Sequence, residues 1–298
     1  RRLTQMKTQK KICANLRNLW FGLSASLLAF SGFAAERPNV LFIAIDDLRP
    51  ELGCYGAQHI VSPNIDRLAK RGILFERAYC QQPLCNPSRT SLMTGLRPET
   101  TGVTHNHAHF RTRNPDVVTL PQYFKNHGYE SRAIGKIYHG FLPEGSSKTS
   151  WDTMGDAPSW SAPAIRFGPR YYYTEAGIAQ AKAAYRGMYR PKNPAPNDWT
   201  RKLVFGPMTE APAVPDNTLQ DGQAADAAIA ALRELKGKPF FLGVGFIKPH
   251  TPFVAPKKYW DLYDPKKIQL AARSELPKGA PAMAGHNSGE VRRYTDQP

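Results

Sequence analysis

The sequence predicts an α/β protein with a doubly wound, mostly parallel sheet flanked by helices. Short continuous apolar runs, Asn39–Ile45 and Pro239–Phe246, have the pattern of parallel strands covered on both faces. They alternate along the chain with helical stretches bounded by capping signals. Groups able to do chemistry follow directly on predicted strands, where open α/β sheets place their ligand sites. No internal repeat is visible. The chain has 298 residues, 41% of them hydrophobic, enough for a substantial core, and its 26 Pro and 23 Gly point to long, shaped loops.

Residues 1–35 read as an export signal preceding one domain over 36–298. Lys7, Lys10, Lys11 and Arg17 form a basic segment after Met6, Leu19 to Phe33 an apolar one, and Gly32-Phe33-Ala34 offers a cleavage site. The apolar stretch is short for a membrane span, so a periplasmic or secreted protein without stable membrane association is expected. Six of the 40 Lys and Arg lie in positions 1–34 with no Asp or Glu, which leaves a net charge of +10 for the rest. That balance suits an acidic substrate through long-range steering. No RRM, zinc-finger or basic-helix pattern supports binding to nucleic acid.

In order, Asn39–Ile45 is a strand ending in Asp46-Asp47. Ser62 as N-cap and Pro63 in the first turn open a helix closed by Gly72. Ile73 to Tyr79 reads as a second strand. Pro87 suits a first helical turn, and Ser88 to Met93 run as a helix stopped by Gly95. Thr119-Leu120-Pro121 caps a helix ending at Gly128, and Tyr129 to Ile134 is a strand leading into Gly135-Lys136-Ile137-Tyr138-His139. Residues 143–215 have little period and read as an extended loop excursion at the substrate rim. Thr218 to Lys236 is an amphipathic helix ended by Gly237. Pro239–Phe246 is the last strand, and Lys248-Pro249-His250-Thr251-Pro252 is expected to be a rigid extended loop.

The densest chemistry lies in Cys85-Asn86-Pro87-Ser88-Arg89-Thr90-Ser91-Leu92-Met93-Thr94-Gly95. A residue at that helix start feels the positive end of the dipole, and Arg89 adds a forked cation suited to a tetrahedral oxyanion. The same residues are also compatible with a capping turn around an inert Cys. Asp46 and Asp47 at a strand end favour either a hard cation or a turn cap. Lys136, His139 and His250 each have a bland alternative as a surface Lys or a satisfied His, but all follow predicted strands of one sheet. His105-Asn106-His107-Ala108-His109 looks like a metal cluster, yet alternating His in a Thr/Gly-flanked segment reads better as a polar loop beside the pocket. Cys13 lies in the leader, and Cys54, Cys80 and Cys85 remain, so one thiol is unpaired and a Cys54–Cys80 disulfide is open.

C-x-P-S-R-x-x-[LM]-[LM]-T-G resembles the signature of the type I sulfatases of the alkaline-phosphatase-like superfamily, in which the Cys is oxidised to Cα-formylglycine (3-oxoalanine). Asp46-Asp47-Leu48-Arg49, Leu52-Gly53-Cys54-Tyr55-Gly56, Ser62-Pro63-Asn64-Ile65-Asp66, Gly135-Lys136 with His139, and Gly243 to Phe253 extend it. Lys248-Pro249-His250 is characteristic of the iduronate-2-sulfatase group. The resemblance implies Ca²⁺ held by Asp46, Asp47 and the modified residue 85, with Arg89 on the formylglycine hydrate. It implies Lys136 and His250 on the sulfate, His250 as proton donor to the departing sugar oxygen, and His139 as the base that regenerates the aldehyde. It also implies a sulfated carbohydrate substrate and a formylglycine-generating or anaerobic maturase as partner. The family's later Asp, His or Asn metal ligands and its second Lys have no counterpart here, so the chain reads as the N-terminal part of such a domain. On that reading it is incomplete at the C-terminal side of the sheet and inactive by itself. The rival expectations are a phosphonate or phosphate monoester hydrolase of the same superfamily, and a non-catalytic protein that binds sulfated glycans.

Overall fold

The run Val-Leu-Phe-Ile-Ala-Ile forms strand β1 (Val40–Ile45). The computed structural model describes residues 37–139, 155–168, 170–188, 205–269, 275–285 and 290–296, so the expected export signal lies outside the described residues. The elements below belong to one unit, Val40–Pro298. After β1 come α1 (Pro63–Ala69), α2 (Cys85–Thr94), the single turns α3 (Pro98–Thr101) and α4 (Phe110–Arg113), and α5 (Leu120–Asn126). They are followed by β2 (Glu130–Gly135), α6 (Glu175–Met188), β3 (Thr209–Glu210), α7 (Gln220–Glu234), β4 (Phe240–Phe246), β5 (Phe253–Val254) and α8 (Lys257–Trp260). No helix among the described residues is long and apolar enough to cross a membrane.

Strands β1, β4 and β2 pair in that order, all parallel, with β4 central. Ile45 lies opposite Phe246 and Gly135 opposite Gly245, so the C-terminal ends of all three strands lie abreast. Side-chain alternation on β4 divides the core. Phe240, Leu242 and Val244 face Ala224, Ala228 and Ala231 of α7 and Leu235, which caps its C-terminus. Phe241 faces the other way, into Met93, Val103, Phe110, Tyr138 and Trp160. Each large side chain so buried contributes about 1.5–3 kcal/mol. Gly243 leaves room on the aromatic face, since a Cβ there would lie 3.2 Å from Ile137.

The capping signals act as expected at α5, where Thr119 and Gln122 form a reciprocal capping box and Gly128 is left-handed. At α1 the expectation fails in detail. Ser62 makes no cap bond, because its hydroxyl bonds the Asp66 carboxylate and accepts the Gly53 N–H.

Several expectations are overturned. Ile73–Tyr79 is not a strand. Ile73, Phe75 and Tyr79 are 83%, 69% and 82% exposed and pair with no strand among the described residues, so the main sheet there has three strands rather than four. β-branched and aromatic content alone does not make a strand without a partner. Strand β1 is covered on one face only: Val40, Phe42 and Ala44 pack on the aromatic cluster, while Leu41 and Ile43 are exposed beyond the reach of α7. The 143–215 excursion contains helix α6, held by Glu210, whose carboxylate accepts from Tyr173 N, Thr174 N and the Thr174 hydroxyl. Residues 143–154, 169 and 189–204 of that stretch lie outside the description. Residues 247–252 form a tight turn rather than an extended loop, with Lys248–Pro249 and Thr251–Pro252 both cis. X-Pro bonds leave both isomers open, so the sequence does not announce this. Cys54, Cys80 and Cys85 are all free thiols, and no Cys54–Cys80 disulfide forms.

Candidate active site

Strand register brings the candidate residues together. Asp46 follows β1 directly, and its N–H donates to the Phe246 carbonyl at 3.1 Å, the last rung of the β1–β4 ladder. Asp47 then turns sharply with φ +57°, a left-handed conformation that Asp tolerates better than most residues. This sends Asp46 inward, 4% exposed, and leaves the Asp47 carboxylate facing solvent. At the end of β2, Gly135 also takes positive φ, and a Cβ on it would lie 2.1 Å from the Gly245 carbonyl oxygen. Only glycine permits that approach. It allows the Lys136 N–H to donate to the same carbonyl at 2.9 Å. The buried Tyr138 meets Ser159 Oγ at 2.9 Å, which fixes the backbone just before His139.

Helix α2 begins at Cys85, three residues earlier than Ser88, and ends in left-handed Gly95 as expected. Its first turn is fastened to the His105–His109 segment. Asn86 N donates to Asn106 Oδ1 at 3.1 Å, and Asn86 Nδ2 to the carbonyls of His105 and Ala108 at 3.2 and 2.7 Å. His105 and His109 spend their Nδ1 atoms accepting the N–H groups of His107 and Arg111, so the segment is a loop and not a metal cluster.

One turn into α2, the buried Arg89 joins three elements. Its Nη1 donates to the Lys136 and Ile137 carbonyls at 2.7 and 2.8 Å, and its Nη2 to Asp46 Oδ1 at 2.6 Å. The Lys136 ammonium takes the other Asp46 oxygen. Burial would raise the Asp46 carboxyl, but Lys136 and Arg89 outweigh it and hold it below the ordinary carboxylate range. Around this pair, one ligand atom each of Asp46, Cys85 and His250 lie within 4.8 Å of one another. Burial pushes the Cys85 thiol up, Asp46 and Asp47 add to that, and Lys136 and Arg89 only partly oppose it. Cys85 is therefore a neutral thiol despite its place at a helix N-terminus, a poor nucleophile as it stands. Burial, reinforced by Lys136 and Arg89, drives His139 down to about 4, so its ring is neutral at neutral pH. Its Nδ1 is buried with no hydrogen-bond partner among the described residues.

His250 Nδ1 faces the Thr251 carbonyl at 2.7 Å and so carries a hydrogen. Its Nε2 lies 4.0 Å from Asp47 Oδ2 and 3.6 Å from Glu290 Oε1. Glu290, together with Asp221 and Lys248 behind the His250 turn, belongs to this region without having been singled out from the sequence. Lys248 sits inside a recognised motif but carries no catalytic pattern, and Asp221 reads only as an acidic residue in a helix first turn.

A hard divalent cation fits this donor set in part. Asp46 and Asp47 are oxygen donors at one strand end, and oxidation of Cys85 would replace a soft thiol by oxygen. Ca²⁺ takes roughly six to eight oxygens, and Arg89 and Lys136 already claim both oxygens of Asp46. The described residues thus form one wall of such a site.

The sulfatase family model matches residues 38–294. The chain is 36% identical over 288 residues to iduronate 2-sulfatase of Homo sapiens, covering 93% of this chain and 48% of the relative. It is also 36% identical over 245 residues to a sulfatase of Formosa agariphila, covering 78% and 43%. The chain spans about half the length of the curated relatives it matches. Among solved structures it superposes on the phosphonate monoester hydrolase of Agrobacterium radiobacter with TM-score 0.59 and 26% identity, covering 80% of this chain and 46% of the other. The phosphonate monoester hydrolase of Silicibacter pomeroyi gives TM-score 0.56 at 24% identity, a likeness of fold, over 80% and 46%. A family match that takes in the whole sheet and every residue gathered at its edge makes this chain a member of the sulfatase family.

Proposed function

We propose that this chain carries the formylglycine-type active site of an exported sulfuric ester hydrolase that removes sulfate from a sulfated sugar. The observation that supports this most is the gathering of Asp46, residue 85, Arg89, Lys136, His139 and His250 at one end of a parallel sheet, around a cysteine whose thiol stays neutral. A thiolate nucleophile would need the opposite electrostatics. A neutral thiol is consistent with a residue that acts only after conversion to another group. Formylglycine at residue 85, when formed, would supply a hydrated aldehyde, a pair of hydroxyls on one carbon able to act as nucleophile toward sulfur and to collapse back to the carbonyl.

The chain's own residues set the rest. Arg89 holds residue 85 against β1 and β2 and offsets negative charge beside it. Lys136 places its ammonium where sulfate oxygens would sit. His139, neutral at working pH, takes the proton that must leave residue 85 when the aldehyde is regenerated. His250, as the imidazolium with hydrogens on both ring nitrogens, presents Nε2–H to the departing oxygen and gives it that proton. Ca²⁺, bound by Asp46, Asp47 and an oxygen of residue 85, would supply charge neutralisation for the sulfate. The identity with iduronate 2-sulfatase supports a 2-O-sulfated uronate within a glycosaminoglycan or a related sulfated polysaccharide as substrate. Residues 1–35 serve as the export signal and 36–298 belong to one catalytic domain.

A phosphonate or phosphate ester substrate is the second reading, favoured by the superposition on a phosphonate monoester hydrolase. Two measurements separate these readings. The mass of the tryptic peptide Ala78–Arg89 from the native host will show an aldehyde in place of the thiol if the mechanism holds, and an unmodified thiol sinks it. Sulfate and phosphonate esters assayed side by side then decide the substrate class.

A further inference from the structure

We propose that Lys248 and Asp221 are a positioning pair that sets the aim of His250. The inference rests on the reading of His250 as the proton donor, and it concerns residues that reading does not use. Asp221, in the first turn of α7, accepts the two successive N–H groups that leave β4. Ile247 N donates to its Oδ1 and Lys248 N to its Oδ2, both at 2.8 Å. One carboxylate thus fixes the direction in which the chain exits the sheet. Gly222 lets α7 come this close to the preceding turn, since a Cβ there would lie 2.0 Å from the Asp216 carbonyl oxygen.

Lys248 then folds over its own turn. Its Nζ donates to the His250 carbonyl at 2.9 Å and the Pro252 carbonyl at 2.5 Å. The His250 N–H closes the turn on the Ile247 carbonyl at 2.9 Å, and Phe253 N anchors the exit on Met208 O at 2.6 Å. The carbonyl of Thr251, between the two that Lys248 grips, orients the imidazole through Nδ1 at 2.7 Å. Lys248 therefore holds the peptide units on both sides of the one that sets the ring. A methionine of similar length would fill the same space without taking an ammonium out of water. What it could not do is bind two carbonyls at once, and a donor of three hydrogens can. Proton transfer in a transition state demands placement to within a fraction of an ångström, which backbone turns alone do not supply.

The test uses enzyme made from the complete reading frame with a formylglycine-generating enzyme present. Two substrates are compared: 4-nitrophenyl sulfate, whose leaving group needs no proton, and a sulfated disaccharide that the wild type hydrolyses. Lys248→Met and Asp221→Asn are expected to lower kcat on the sugar ester about ten- to a hundredfold and on the nitrophenyl ester less than about threefold, matching the pattern of His250→Ala. Lys248→Arg, which can still bridge two carbonyls, is expected to recover much of the loss. The His250 side-chain Nδ1–H signal in ¹⁵N spectra gives a readout independent of turnover: slowly exchanging in the wild type, lost in Lys248→Met. Retention of that signal in Lys248→Met overturns the inference, as does an equal loss on both substrates. If His250→Ala itself discriminates between neither substrate, the proton-donor reading falls, and the ¹⁵N signal still decides whether Lys248 holds the ring.

Discussion

The two halves of the candidate site are built differently. The inner half, Asp46 with Arg89 and Lys136, is buried and saturated: both carboxylate oxygens are taken, and the guanidinium also binds two carbonyls. The outer half, Asp47 with His250 and Glu290, is more exposed and joined only at 3.6 to 4.0 Å. The inner charges tie helix α2 to the chain just past the ends of β1 and β2. The outer ones are spaced for something to come between them. Preorganisation and adaptability are thus divided between neighbouring aspartates, and a left-handed peptide at Asp47 is what divides them.

Substitutions at these neighbours should break the symmetry of the Asp-Asp pair. Asp46→Ala strands two buried cations, and urea denaturation should report a loss of about 3–5 kcal/mol. A loss below about 1 kcal/mol would mean that the inner half does not hold the fold. The next effect is a pH dependence. His139 binds its proton near pH 6.5 when unfolded but only near about 4 when folded. Its contribution is therefore fully present above pH 6.5 and lost as pH falls toward 4, by about 3 kcal/mol. His139→Gln should flatten the urea midpoint of the wild type over that window, and parallel curves for the two proteins would rule the effect out.

Arg89→Lys keeps the charge but loses the fork, and should cost about 2 kcal/mol in the same denaturation assay. Full stability in that variant would assign the joint to charge alone. The smallest effect is expected at Asp47→Gly, which removes the carboxylate and accepts the left-handed backbone, within about 0.5 kcal/mol of wild type in stability. Its cost should appear instead in Ca²⁺ affinity measured by titration calorimetry, and an unchanged affinity would remove Asp47 from the metal site.

Much of this was legible from residues that act locally. The apolar runs of β1 and β4, the Thr119 cap, Gly95 as a helix stop and the placing of Asp46, Lys136 and His250 just after strands all follow from patterns that need no distant partner. What escaped depends on distant residues. Ile73–Tyr79 has strand composition, but whether it pairs is decided by what lies beside it. Helix α6 was hidden by a Pro- and Gly-rich setting, although its Ala spacing is helical. Asp221 and Lys248 lie 27 positions apart and meet only because α7 packs back on the sheet. The inward turn of Asp46 and outward turn of Asp47 rest on one dihedral angle that Asp-Asp does not specify.

The order of strands in the sheet also has a consequence in time. Among the described residues strands β1 and β2 do not pair with each other: β4 lies between them, and the other edge of β2 bonds Ser161 and Ile165. Between Gly135 and Phe240 about a hundred residues must be made, roughly 5 to 20 s of ribosomal synthesis. Throughout that interval the apolar β1 and the mixed β2 lack the strand that lies between them in the sheet. On this order the sheet closes late, once β4 is made and can take its place between β1 and β2.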